Sequence, residues 1–240
     1  GYFIGRSESL EFLLIGSLPE EREEIEALIE GITRNKSIQK IGIITDHLGN
    51  AGPSILGDFF SSNKSLSGVA FAFNNIGDER AQDITSLISQ MRHNSLTKFS
   101  LYNNTISDEG FSEICRELRK HSQLEDLSLK GSDIGRNGYV TLGSMLSSWH
   151  APSLKDLNLG DTSIDDGGLH ALVEGMTNCS SLSGLSLAGN RSITAAGLRS
   201  LSTLFQSENC SLGELRLDRM NIGDDWVTAL VEGLRGNKSL

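Results

Sequence analysis

One hydrophobic phrase recurs along the chain, with apolar residues spaced as L-x-x-L-x-L-x-x-N-x-I. It reads Leu66, Val69, Phe71, Asn74, Ile76, and again Leu96, Phe99, Leu101, Asn104, Ile106. Further copies open at Leu124, Leu154, Leu182 and Leu212, an earlier clear copy opens at Ile38, and Leu10 opens a degraded one. Successive openings at 10, 38, 66, 96, 124, 154, 182 and 212 lie 28 or 30 residues apart. A fixed period of that length is the mark of stacked like units, each too small to bury its own apolar face.

Two hydrophobic periods alternate within each unit. The L-x-L centre has period two and predicts a short strand with one face inward. After the isoleucine the spacing becomes helical, as in Phe111, Ile114, Cys115, Leu118 and in Leu169, Leu172, Val173, Met176. Ser107, Thr194 and the aspartate pairs 165–166 and 224–225 stand where these helices should begin. Their oxygens can accept from free N–H groups, and their charge suits the positive helix end. One strand and one helix per unit, all strands running the same way, gives a parallel sheet on a concave inner face and helices on the convex outside.

The ninth phrase position carries a polar role. A side chain there can bond backbone groups of the adjoining turn that would otherwise be buried unpaired. Asp46, Asn74, Asn104, Ser132, Thr162 and Asn190 can form such a structural ladder, whereas Leu18 and Met220 cannot.

This phrase, followed by G-D-E or D-D-G and a helix at 28 to 30 residues, resembles the ribonuclease-inhibitor-like subfamily of leucine-rich repeats. The resemblance covers essentially the whole string. It implies an α/β leucine-rich-repeat solenoid, a horseshoe with parallel strands inside and helices outside. It also implies a surface that grips proteins. Residues 1–240 are therefore read as one array of about eight repeats. Because Arg6–Ser9 resembles the end of an earlier unit and Leu240 opens a ninth, an excerpt of a longer chain is expected.

A net charge of −10 disfavours unspecific phosphate-backbone binding, so no nucleic-acid partner is expected. No run approaches the roughly 18 apolar residues of a membrane span, so direct membrane insertion is not expected either. Three cysteines, Cys115, Cys179 and Cys210, are few and odd in number, which suits a reducing, intracellular setting. Cys179 and Cys210 occupy nearly equivalent turns and are read as reduced thiols. N-x-[ST] triplets occur at Asn35, Asn63, Asn103, Asn178, Asn190, Asn209 and Asn237. Most sit at turns before strands, where asparagine is a natural turn residue, and are read as structural.

No catalytic constellation, metal site or cofactor motif is recognisable, and no enzyme is expected. The five histidines share no repeat position, and Asp165, Asp166 and His170 read as an acidic helix start beside an exposed helix residue. The candidate chemistry lies in phrase positions three, five and seven, which point off the concave face. Phe12, Leu14 and Ile44 form an apolar corner, and Lys98, Tyr102 and Lys130 mark the middle. Glu214, Arg216, Asp218 and Arg219 cluster charge at the far end. The expected function is a scaffold holding a protein partner by the concave face or rim, with a Ran-GTPase-activator-like protein or an immune-type sensor domain as alternatives. The glutamates of the first long helix, from Glu20 to Glu30, read as a solvated convex face.

Overall fold

Period-two and period-3.6 segments alternate in the structure as they do in the sequence. The computed structural model describes residues 2–16, 22–44, 52–72, 76–92, 95–149, 153–177, 179–221, 223–235, 237 and 240. The strands are β1 (Phe12–Ile15), β2 (Lys40–Ile43), β3 (Gly68–Phe71), β4 (Lys98–Leu101), β5 (Asp126–Ser128), β6 (Asp156–Asn158), β7 (Gly184–Ser186) and β8 (Glu214–Arg216). The helices are α1 (Tyr2–Arg6), α2 (Arg22–Arg34), α3 (Gly52–Ser62), α4 (Asp78–Ser89), α5 (Asp108–Leu118), α6 (Gly135–Trp149), α7 (Asp166–Met176), α8 (Ala195–Phe205) and α9 (Asp224–Gly233). All eight strands form one sheet in sequence order, each pairing parallel to the next. This is a leucine-rich-repeat solenoid.

Register is fixed by the phrase itself. Lys40, Gly68, Lys98, Asp126, Asp156, Gly184 and Glu214 pair as one row across the sheet, and the apolar centres Ile41, Val69, Phe99, Leu127, Leu157, Leu185 and Leu215 as the next. A slip of one residue would turn every core side chain to solvent, so the alternation locks the stack. Between sheet and helices runs one continuous apolar core, with Phe59, Phe60, Phe71, Phe99 and Phe111 fully buried in it.

Helix starts follow the expected residues in three cases and depart in one. Ser107, Asp165 and Thr194 cap α5, α7 and α8, accepting from the N–H groups of Gly110, Gly168 and Ala196. At α9 the cap is Gly223, with no side-chain bond, and Asp224 and Asp225 lie inside the first turn. There they act only through charge at the positive helix end, because a residue already in helical geometry cannot fold back as a cap. A further link joins neighbouring units. Asp166, the first residue of α7, accepts from both the N–H (2.7 Å) and the hydroxyl (2.6 Å) of Thr194, the cap of α8.

Position eight of the phrase is left-handed wherever the described residues cover it. Asn103, Gly131, Asp161, Gly189 and Arg219 have φ of 52°, 72°, 56°, 74° and 60°. The chain must turn sharply here from strand towards helix. Glycine meets that demand without cost, whereas Arg219 adopts it against an ordinary side chain's preference.

The ninth-position side chains sit directly behind this turn. Asn104 is buried, and its Nδ2 donates to the carbonyls of Phe71 (3.2 Å) and Tyr102 (3.0 Å). Ser132 Oγ accepts from the Asn104 N–H (3.2 Å) and donates to the Leu101 carbonyl (3.0 Å). Asn190 Oδ1 accepts from the Thr162 N–H (2.9 Å), and its Nδ2 donates to the carbonyls of Leu159 (2.7 Å) and Leu187 (2.9 Å). Thr162 adds a hydroxyl bond to the Leu159 carbonyl (2.8 Å). Asp46 and Asn74 lie outside the described residues, as do Glu20, Glu21 and Asn178.

A second buried asparagine position closes the helix-to-strand turn. Asn35 Oδ1 accepts from the N–H groups of Ser37 and Ile38 (both 2.9 Å), while its Nδ2 reaches the carbonyls of Ile4 (2.7 Å) and Ser7 (2.8 Å) one unit back. Asn63 repeats the first half of this arrangement with Ser65 and Leu66. Asn35, Asn63 and Asn190 are therefore structural amides inside the protein, with no room for a glycan.

Candidate functional site

Parallel pairing delivers the side chains of strand positions three and five, and of position seven just beyond, to one open face. At its amino-terminal side this face is apolar and exposed. Phe12 and Leu14 keep 54% of their surface accessible, Ile44 43% and Tyr102 45%. Gly42 lies beneath this corner, and the Leu14 side chain leans over it, with a Cβ on Gly42 falling 2.5 Å from Leu14 Cδ1. The floor continues with Ala70 and Ala72, so large side chains stand over small ones.

Charge begins at β4. Lys98 is bonded to Asp126 on the neighbouring strand, which raises the lysine's pKa above its ordinary value chiefly through that hydrogen bond. Lys98 is thus committed to β5 and does not stand free beside Tyr102. Lys130 is half-buried at position seven. At the far end Arg216 is held by Glu214 on its own strand. Arg219 reaches back two units to Asp161 (2.9 Å) and also bonds Asp218 (3.3 Å). That long reach crosses Gly189, where a Cβ would lie 2.0 Å from Asp161 Oδ1. Both guanidinium groups are therefore oriented by carboxylates before any partner arrives.

The row at position three carries a feature beyond Phe12, Lys98 and Glu214. Asp156 and Glu214 flank Gly184, and with Asp126, Ser128, Asn158, Ser186 and Arg216 they line a notch of about 390 Å³ open to the concave side. Asp126 has Lys98 and Glu214 has Arg216, but no cation lies within ion-pair distance of Asp156 among the described residues. The Asp156 carboxyl is pushed above the usual carboxylate range, first by partial burial, then by the charge of Asp126 and a hydrogen bond shared with it, and by Glu214; Lys98 opposes these. Reading position three as a column, K-G-K-D-D-G-E from residue 40 to residue 214, is the sequence signal that exposes this notch.

Groups that might have carried chemistry are occupied otherwise. Asp165 caps α7, Asp166 in the first turn of α7 accepts from Thr194, the cap of α8, and His170 stands exposed 3.7 Å from Glu174 along α7. Cys115, Cys179 and Cys210 are all reduced; burial pushes the Cys179 thiol up to about 11, and its Sγ donates to the Leu146 carbonyl. Among the described residues no helix is long and apolar enough to cross a membrane.

Repeat, ladder and open sheet face together define the class. The chain has the leucine-rich-repeat fold and is similar to proteins of the ribonuclease-inhibitor-like kind. The family model described as Leucine Rich repeat matches residues 92–115 and 150–173. NACHT, LRR and PYD domains-containing protein 5 of Homo sapiens is 35% identical over 160 residues, covering 65% of this chain and 13% of that protein. The ribonuclease inhibitor of Sus scrofa is 30% identical over 160 residues, 65% of this chain and 34% of that protein. That of Mus musculus is 26% identical over 211 residues, 87% of this chain and 45% of that protein. The chain thus spans less than half the length of each of these relatives.

Proposed function

We propose that this array is a protein-interaction scaffold that holds a partner protein against its concave sheet face and rim, in an intracellular setting. The observation that carries this is the exposure of Phe12, Leu14, Ile44 and Tyr102 on one rigid face. Four large apolar side chains on the strands or just beyond their ends are a contact surface, because parallel pairing has already ordered their backbone and little entropy remains to be lost on binding. Lys130, Glu214, Arg216, Asp218 and Arg219 supply the polar part, and the pre-set arginines suit carboxylates at a rim. Similarity to the ribonuclease inhibitors, whose name states that they inhibit an enzyme, supports the same reading.

Similarity to the NACHT, LRR and PYD domains-containing proteins supports a second reading, in which the array is the repeat portion of a sensor with several domains. Capture of the partner on immobilised protein, followed by calorimetry, tests the scaffold. Tyr102→Ala and Arg216→Ala are each expected to weaken binding by more than about 1 kcal/mol, the scale of an interface anchor. Glu23→Ala, on the convex helix α2, is expected to change it little. Equal affinities for all four proteins would remove the concave face from the account.

A further inference from the structure

The concave face is divided into an apolar half and a notch, and the division specifies a partner more closely than exposure alone. Gly184 is the reason for the notch. Every other strand from β4 to β8 places a charged side chain at this level, namely Lys98, Asp126, Asp156 and Glu214. On β7 the row has no side chain, so a well opens between the strands that carry Asp156 and Glu214. With neighbouring strands about 4.8 Å apart, those two strands stand roughly 10 Å from each other, room for one flat guanidinium or one ammonium between two carboxylates. Asp156 leans into this space: a Cβ on Gly184 would fall 2.2 Å from its Oδ1.

Charge inside the notch is unbalanced in one direction. Three carboxylates face two cations, and each cation is taken by one carboxylate, Lys98 by Asp126 and Arg216 by Glu214. Asp156 is left facing Asp126 on the adjoining strand β5 and Glu214 across the gap. A positive group entering over Gly184 would meet an unmatched carboxylate and would relieve that repulsion. An anion or an apolar group would gain neither.

We propose that the concave face takes an extended segment of a partner protein, seating one arginine or lysine side chain of that segment in the notch over Gly184 and resting an apolar side chain against Tyr102. This rests on the scaffold reading above and narrows it to a partner chemistry. The spacing follows from the sheet. From Gly184 to Tyr102 is three strands across, about 14 Å, and four residues along the strand, about 13 Å, so the separation is roughly 20 Å, or about six extended residues. The fit is electrostatic and asymmetric: the basic end of the segment lies over β6 to β8 and the apolar end over β4 and the strands before it.

Acid should release such a segment. The groups facing Asp156 are Asp126 on β5, Lys98 beyond it on β4, and Glu214 and Arg216 on β8; β7 contributes none. A cation binds the ionised carboxylate, and the Asp156 pKa is raised in the free protein, mainly by burial and by Asp126. Binding is therefore full above that raised pKa and is lost as pH falls through it. Salt should weaken binding as well, since the notch is open to solvent.

Selection of a displayed random dodecapeptide library on the immobilised chain tests this directly. The expected winners carry Arg or Lys about six residues from an apolar side chain. A labelled winner, followed by fluorescence anisotropy, should bind Gly184→Val and Asp156→Asn at least tenfold more weakly, and replacement of its basic residue by norleucine should lose the same factor. That replacement should cost nothing further against Gly184→Val, because the well is already filled. Gly184 has an ordinary strand conformation, so valine is tolerated by the backbone, and Asp156→Asn keeps the shape while removing the charge. Circular dichroism confirms both folds. Peptides that need Tyr102 but ignore Gly184→Val and Asp156→Asn would overturn the notch and leave the scaffold standing. Peptides indifferent to Tyr102→Ala as well, or no enrichment at all, would overturn both.

Discussion

Gly175→Ala is expected to destabilise the protein by about 2 kcal/mol or more, although alanine is the better helix former. Gly175 lies near the end of α7, where that helix meets α6 through backbone alone. A methyl group on it would sit 2.0 Å from the carbonyl oxygen of Gly143 and 2.6 Å from its carbon, far inside any non-bonded contact distance. Backbone cannot rotate away as a side chain can, so the two helices must part and lose packing along their length. Overpacking of this kind costs roughly 1–3 kcal/mol or more, against a helix-propensity gain of about 1 kcal/mol. Gly57, in the middle of α3, is the matching control. The atoms a methyl there meets first are those of the terminal amide of Gln90, the nearest at 2.5 Å, on an exposed and flexible side chain. Gly57→Ala should be neutral or stabilising by about 0.5–1 kcal/mol. Urea unfolding of the two variants reads the difference, and the same sign for both would refute the close approach of α6 and α7.

Asn190→Leu should cost about 2–4 kcal/mol. Leucine matches the volume but not the bonds: the Thr162 N–H loses its acceptor, and the carbonyls of Leu159 and Leu187 each lose a donor. Each buried group left unpaired costs about 1–3 kcal/mol, partly offset at Leu159 by the Thr162 hydroxyl, which still donates to it. A fair control is an asparagine of the same turn that faces water. Asn103 is exposed but left-handed, so leucine there would add backbone strain, whereas Asn103→Gly keeps the conformation and should stay within about 0.5 kcal/mol of the parent. Amide exchange at Thr162 should rise in Asn190→Leu and not in Asn103→Gly. An Asn190→Leu protein as stable as the parent would show that the polar column carries no weight.

The architecture was legible because the repeat is a periodicity in volume and polarity, and both are written directly in residue type. Leu127, Leu157 and Leu185 sit in one buried row for the reason that they share a phrase position. What depends on absence was harder to read. Gly184 is unremarkable in its own strand and matters only through Asp156 and Glu214, which lie 28 and 30 residues away. Arg219 finds Asp161 at a separation of 58 residues, across a glycine that a single-unit view assigns to a turn. Asp224 and Asp225 carried the composition of a helix start, but composition does not say which residue holds the extended cap geometry, and Gly223 holds it. Side-chain commitments across repeats are tertiary facts, whereas strand, helix and core position are local ones.

Site-specific photocross-linking tests the central claim most directly. A benzophenone side chain placed at Tyr102 on the concave face, or at Glu23 on the convex helix α2, samples the two surfaces a partner can occupy. Both positions are exposed, so the probe itself disturbs neither core nor ladder. Irradiation with the captured partner should give a covalent adduct from position 102 and none from position 23. Adducts from position 23 with none from position 102 would place the partner on the acidic back of the horseshoe and contradict the concave-face account.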